Sequence, residues 1–379
     1  MIYLDHTATM VPKKELLEYY LEMAVDFSAN PASMHSAGYA ARKTQAAAIN
    51  EMAQIFDCRA EEILITSGGT ESINTALKGT LSANKRLGKR VLISAGEHAA
   101  VSASASWLSS QGWQIEEIGL NSDGTIDMEQ LTAALKTPCA LISLIYVNNE
   151  TGAVNPVEEI VKLKNQLQPQ CLIHLDGVQA TGKINWSFKK LGIDFFSGSG
   201  HKFGTPRGIG WLIHRHGLRI DPLIHGGGQQ KGLRSGTENV PLVLTMNRAV
   251  QEAWLDLAAK QKYVTGLKSI FLDHMKELGV SYSLLSPSDA VPNIISLAVH
   301  GLRGETLLHA LENQEIFVST GSACSSRKRE ESAVLRAMKF SSELIDGSIR
   351  ISIAASNTEQ EMLDTANAIA AAAKWLAKK

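Results

Sequence analysis

The stretch Ser197-Gly198-Ser199-Gly200-His201-Lys202-Phe203-Gly204 decides how this chain is read. A lysine closes a run of small residues directly behind the apolar segment Ile193-Asp194-Phe195-Phe196. Small residues let a bulky group come close to the backbone, and Ser and His beside them can donate hydrogen bonds to an anion. A lysine partly withdrawn from water has a lowered pKa and condenses with a carbonyl as a Schiff base. An amine for an aldehyde and donors for a phosphate are what a pyridoxal phosphate pocket requires. The same octapeptide also reads as a glycine-rich turn with a surface lysine, and the rest of the chain decides between the two.

Just upstream, Cys171-Leu172-Ile173-His174-Leu175-Asp176 reads as a buried strand that closes on an acid, with Gln179 three residues on. An acid at the end of a core strand needs a cationic or N–H partner; a pyridinium nitrogen supplies one, and so does a helix-capping role. Further back, the strand Ile63-Leu64-Ile65-Thr66-Ser67 runs into Gly68-Gly69-Thr70-Glu71-Ser72, after which Ile73, Ala76, Leu77 and Leu81 recur at helical spacing. A strand, a glycine turn and a helix N-terminus form an anion cradle, or a plain turn capped by Thr70. Val91-Leu92-Ile93-Ser94 is the next strand and leads to Gly96-Glu97-His98. A His past a strand end in an α/β protein lies on the ligand side, although a lone His also serves structure. Residues 140–147 form an almost wholly apolar strand, of the kind buried in a parallel sheet, ending in Asn148-Asn149-Glu150-Thr151-Gly152.

Helices are expected over residues 37–56, 127–135 and 156–167, and a further strand over 208–214. This alternation predicts a doubly wound α/β domain with a mostly parallel sheet. His225-Gly226-Gly227-Gly228 and Arg234-Ser235-Gly236-Thr237 make a second small-residue loop, followed by a largely helical bridge over 240–278. Strands at 293–299, 316–319 and 348–353, with helices near 304–313 and 358–376, suggest a smaller α+β domain. The expected division is a large domain over 15–255 and a small one built from 1–14 and 256–379.

Composition sets bounds on function. With 379 residues, 44% of them hydrophobic, and Lys+Arg 37 against Asp+Glu 38, the net charge is −1. Nothing here suggests a broad nucleic-acid or anionic-membrane surface. No apolar run reaches membrane-spanning length, and the first residues do not read as a signal peptide. Cys58, Cys139, Cys171 and Cys324 are scattered without CxxC spacing. That disfavours a zinc site or a disulfide framework and fits a reducing cytoplasm. Cys324 sits among small polar residues in Thr320-Gly321-Ser322-Ala323-Cys324-Ser325-Ser326. This reads as an exposed loop thiol, either reactive or incidental.

Taken in order, these pieces resemble the cysteine desulfurases of the NifS/IscS type, which belong to the class V aminotransferases of PLP fold type I. The resemblance rests on Leu4-Asp5 with Ala8-Thr9, Asn30-Pro31-Ala32-Ser33, residues 66–72, Glu97-His98 and residues 147–152. It continues through residues 174–179, Ser199-Gly200-His201-Lys202, Arg234-Ser235-Gly236-Thr237, Ser322-Ala323-Cys324 and Ser348-Ile349-Arg350. It implies that Lys202 binds pyridoxal phosphate, that Asp176 pairs with the pyridine nitrogen, and that Gln179 bonds the ring hydroxyl. His98 would stack on the ring and assist proton transfer. Gly69 lies in the phosphate turn, and Thr70, Ser199 and His201 would hold the phosphate, together with Thr237 from the other subunit of a homodimer. Asn149 and Arg350 would take the carboxylate of L-cysteine, and Cys324 would accept its sulfur as a persulfide. A sulfur-acceptor protein is the implied partner, in iron–sulfur cluster assembly or in tRNA or cofactor thiolation. No metal is implied. Selenocysteine lyase, or another class V enzyme, is the alternative activity.

The chain departs from the family pattern in a few places. Gly69 stands where Ala is common, Met10 where Thr is usual, and residues 327–332 lack the usual Pro-containing turn. The chain also ends at Lys379, without the longer tail by which housekeeping desulfurases dock a scaffold. The loop around Cys324 matches the group with the longer mobile cysteine segment.

Overall fold

The computed structural model describes residues 1–320 and 331–376, apart from the side chain of Leu376. The apolar runs form the strands of a seven-stranded sheet. Among the described residues the strands, in chain order, are β1 (Ile2–Tyr3), β2 (Ile63–Thr66), β3 (Arg90–Ser94), β4 (Gln114–Ile118), β5 (Leu141–Ile145) and β6 (Leu172–Asp176). They continue with β7 (Phe195–Ser199), β8 (Gly210–His214), β9 (Tyr282–Leu284), β10 (Ile294–Val299), β11 (Ile316–Phe317) and β12 (Ser348–Ser352).

The large sheet has the order β2-β8-β7-β6-β5-β3-β4. Only β8 runs against its neighbours, pairing antiparallel with both β2 and β7, while the remaining pairs are parallel. Every residue of β5, β6, β7 and β8 is buried, as expected for strands covered on both faces. Because β2, β3, β5, β6 and β7 share a direction, the loops that follow them open at one edge of the sheet. Ligands of doubly wound folds bind outside the carboxyl ends of the strands. The edge strand β4 escaped sequence analysis, because its Glu116 and Glu117 break the apolar run. The helix Lys14–Asp26 escaped it too, burying only Leu16 fully.

A three-stranded antiparallel sheet, β12-β10-β9, carries a separate apolar cluster. There Ile295, Leu297, Ile349 and Ile351 meet Phe271, Leu307, Met362 and Ile369. The N-terminus joins this body: β1 pairs parallel with β11, and Asp5 bridges to Ser352. The helical bridge is two helices, Val240–Trp254 and Leu257–Glu277, broken at Asp256, whose φ is +53°.

The deciding stretch lies differently from its sequence reading. The strand occupies Phe195–Ser199, so Gly198 is inside it rather than in a loop after it. A Cβ on Gly198 would lie 2.1 Å from the Trp211 ring, and one on Gly200 would lie 2.2 Å from Thr205 Oγ1. The small residues at 198 and 200 therefore accommodate the protein's own packing, not a bulky ligand. Trp211 is fully buried and stacks on Phe56 at 5.1 Å, with Phe203 tilted against it at 5.5 Å. Each such aromatic pair adds about 0.5–1.5 kcal/mol beyond area burial, which braces the backbone that presents Lys202.

Candidate active site

The carboxyl-edge loops enclose a cavity of about 300 Å³. Gly69, Thr70, His98, Asn149, Asp176, Gln179, Ser199, His201, Lys202 and Arg350 all line it. The residues expected at the site from the sequence thus converge from five strand ends and from β12, with two exceptions. Thr237 lines a separate cavity of about 160 Å³ beside Arg234 and Glu238. Cys324 lies outside the described residues.

Asp176 ends β6 and is 2% exposed, and its Oδ1 accepts from Val178 N at 3.0 Å. Burial pushes its carboxyl up; the nearby His98, the Val178 N–H and Lys202 pull the other way and do not prevail. A buried acid so placed favours a cationic partner in the cavity. His98 caps the helix Ala99–Ser110, with Nδ1 accepting from Ala100 N at 3.1 Å. A neutral ring that accepts at Nδ1 carries its proton on Nε2.

Lys202 Nζ donates to the carbonyl oxygens of Thr7 and Ala8, at 2.8 and 2.9 Å. His201 Nδ1 lies 3.1 Å from Thr9 Oγ1. Burial, with Lys202 and Arg207 nearby, holds the His201 imidazole down at about 4, so the ring is neutral at physiological pH. Gln179 Nε2 donates to Thr7 O at 3.1 Å. Gly69 begins a helical segment directly after β2. A Cβ there would sit 2.7 Å from Val178 Cγ2, so a glycine at this position is a packing requirement in this chain and not a trivial replacement of alanine.

Arg350, on β12, is 3% exposed. Its Nη2 donates to Asp5 Oδ1 at 2.8 Å and its Nη1 to Asn149 O at 3.0 Å. Its buried Nε has no hydrogen-bond partner among the described residues. An oriented guanidinium with a donor to spare suits a carboxylate.

Sequence reasoning gave no role to several residues found here. Thr7 and Ala8 act through backbone carbonyls, which leave no trace in residue type. Glu97 has both carboxylate oxygens buried without a hydrogen-bond partner among the described residues. Burial, with Asp176 adding repulsion, pushes its carboxyl well above the usual carboxylate range. Glu150, next to Asn149, accepts from Ser332 Oγ at 2.5 Å, and burial raises its carboxyl to about 7. Lys183 donates to Gln179 Oε1 at 3.0 Å.

None of the three described cysteines lines the cavity. Cys139 and Cys171 are buried where β5 and β6 begin, with their sulfurs 2.9 Å apart. Burial pushes the Cys58 thiol up to about 12. No helix among the described residues is long and apolar enough to cross a membrane.

A lysine, a buried acid and a glycine turn at a helix start share one cavity on an α/β sheet, and the chain's relatives show the class to which it belongs. The family model described as aminotransferase class V matches residues 2–364. A NifS/IcsS protein homolog from Lactobacillus delbrueckii subsp. bulgaricus is 37% identical, covering 95% of this chain and 94% of that protein. A cysteine desulfurase IscS from Methanosarcina thermophila is 34% identical, covering 95% and 89%. The solved structure of a NifS-like protein superposes with a TM-score of 0.93 at 32% identity, over 99% of both chains. The chain belongs to the class V aminotransferase family and, within it, to the NifS/IscS-like cysteine desulfurases.

Proposed function

We propose that this chain is a pyridoxal-phosphate-dependent cysteine desulfurase that moves the sulfur of L-cysteine onto Cys324 and releases L-alanine. The observation that carries this reading is the shared cavity: buried Asp176, Lys202 and the oriented Arg350 all face it. The donor set fits the cofactor. Asp176 would keep the pyridine nitrogen protonated, and Gln179 would bond the ring hydroxyl. Gly69, Thr70, Ser199 and His201 would surround the phosphate, and His98 would lie against the ring. When bound, the cofactor withdraws electrons from the α-carbon of an attached amino acid.

The protein's own groups do the rest. Arg350 and Asn149 hold the substrate carboxylate and so orient the α-carbon. Lys202 removes and returns the α-proton, and His98 relays protons at Nε2. The Cys324 thiolate attacks the substrate sulfur. The carbon–sulfur bond breaks, its electron pair stays with carbon and is protonated, and Cys324 keeps the sulfur as a persulfide. One thiol and one L-cysteine give one persulfide and one L-alanine, with no external oxidant. Thr237 would serve the site of a second copy of the chain in a homodimer, and a sulfur-acceptor protein would take the persulfide sulfur in the cytoplasm. The proposed division into residues 15–255, and 1–14 with 256–379, puts Arg350 and Cys324 on the small domain and the cofactor groups on the large one.

The test is mass spectrometry of the protein after L-cysteine. An added sulfur on the peptide carrying Cys324 supports the reading. Cys324→Ser should still bind pyridoxal phosphate but release no sulfide. Added sulfur on Cys58, Cys139 or Cys171, or full activity in Cys324→Ser, overturns it.

A further inference from the structure

Lys183 lies in the turn after β6, four residues past Gln179, and donates from Nζ to Gln179 Oε1 at 3.0 Å. The other end of the same amide, Nε2, donates to Thr7 O at 3.1 Å. That carbonyl also accepts from Lys202 Nζ at 2.8 Å. An amide has an acceptor end and a donor end, and nothing in its shape prevents a flip. Turned over, the Gln179 amide would set its NH2 against the Lys183 amine and its oxygen against Thr7 O, donor on donor and acceptor on acceptor. Lys183 can only donate at this contact when charged, so it selects one of the two orientations.

We infer that Lys183 is a positioning residue: it locks the Gln179 amide so that its NH2 group faces the cavity beside Lys202. Lys183 does not line the 300 Å³ cavity, which contains Gln179 and Lys202. It lines a second cavity of about 290 Å³ behind Lys202, together with Phe203 and His6. Its hydrogen bond to the site runs through Gln179. The inference rests on the proposed pyridoxal phosphate site, where the group facing that NH2 would be the oxygen of the ring hydroxyl. A donor fixed there supports a negatively charged oxygen, and the Lys183–Gln179 chain polarises the amide further. Burial, with Lys202 and Arg350 nearby, brings the Lys183 amine down to about 7. Its neutral form can still donate to Gln179 Oε1, and the Thr7 carbonyl, which can only accept, holds the amide in the same orientation.

The test uses the protein loaded with pyridoxal phosphate and no substrate. The pH titration of the bound cofactor's visible absorbance is read for Lys183→Met, Gln179→Met, the double variant and Lys183→Arg. Both Met variants should move the midpoint in the same direction by about one pH unit, the scale of one lost hydrogen bond. The double variant should move it no further than Gln179→Met alone, since the two groups act as one unit. Lys183→Arg, which keeps a donor, should titrate like the wild type. Circular dichroism confirms folding, and Lys183→Gln replaces the Met variant if that fails to fold. A wild-type midpoint in Lys183→Met beside a shifted one in Gln179→Met overturns the inference alone, as do full additive shifts in the double variant. A wild type that takes up no pyridoxal phosphate overturns the reading of the site and this inference with it.

Discussion

Arg350 and Asp5 are joined across 345 residues of sequence, Nη2 to Oδ1 at 2.8 Å, with the arginine side chain 4% exposed and the aspartate 22%. The bond ties the N-terminal segment to β12 and fixes the guanidinium above the cavity. Removing one partner of a buried ion pair strands the other charge, at a cost of about 3 kcal/mol. Asp5→Ala should therefore lower stability by about that much in urea unfolding. It should also raise the KM for L-cysteine through a misplaced Arg350. Unchanged stability together with unchanged KM would refute the relationship.

Asp176→Asn should separate folding from function. The folded-state pKa of Asp176 is raised by burial above 3.8. Its stabilising contribution is thus complete below that value and is lost as pH rises through the folded pKa. Without cofactor, burial disfavours the charged form, so the Asn variant should be no less stable than wild type. With pyridoxal phosphate the order should reverse, and activity should fall by about a hundredfold or more, the scale of losing one preorganised electrostatic partner. Melting curves with and without cofactor, alongside alanine formation, check both halves.

Glu150 should make stability fall between pH 4.5 and about 7, the limits set by its ordinary and its folded pKa. A raised carboxyl stabilises below its unfolded pKa and loses that contribution as pH rises through the folded one; the full loss is about 3 kcal/mol. Glu150→Gln, which can still bond Ser332, should flatten this part of the stability–pH curve. An unchanged slope would show that Glu150 does not titrate there.

Gly69→Ala should be destabilising by about 1–3 kcal/mol, the cost of overpacking, because its Cβ would meet Val178 Cγ2 at 2.7 Å. Val178→Ala in the same chain should recover most of the loss. A Gly69→Ala variant as stable as wild type would mean that Val178 yields freely.

Glu97→Gln should change stability and activity little at neutral pH, because burial, with Asp176 beside it, already disfavours the charged form of the Glu97 carboxyl. A large loss of activity in this variant would show that the ionised form is used.

The central parallel sheet was legible in the sequence, since strands buried on both faces read as unbroken apolar runs, as residues 140–147 and 171–176 do. Part of the cavity was legible too, because Asp176 closes such a run, His98 and Lys202 follow one, and doubly wound folds gather those ends at one edge; Asn149 and Arg350 were expected there only through the resemblance to the family. Periodicity alone did not find the edge strand β4 or the helix Lys14–Asp26, whose faces are only partly apolar. Only the tertiary structure showed that Gly198 yields space to Trp211 and Gly69 to Val178, because close packing joins residues distant in sequence. It alone brought the carbonyls of Thr7 and Ala8 to Lys202, Asp5 to Arg350, and Lys183 to Gln179. Local sequence sets what each segment can become. Which donor meets which acceptor, and which acid is withdrawn from water, depends on long-range contacts that no segment encodes by itself.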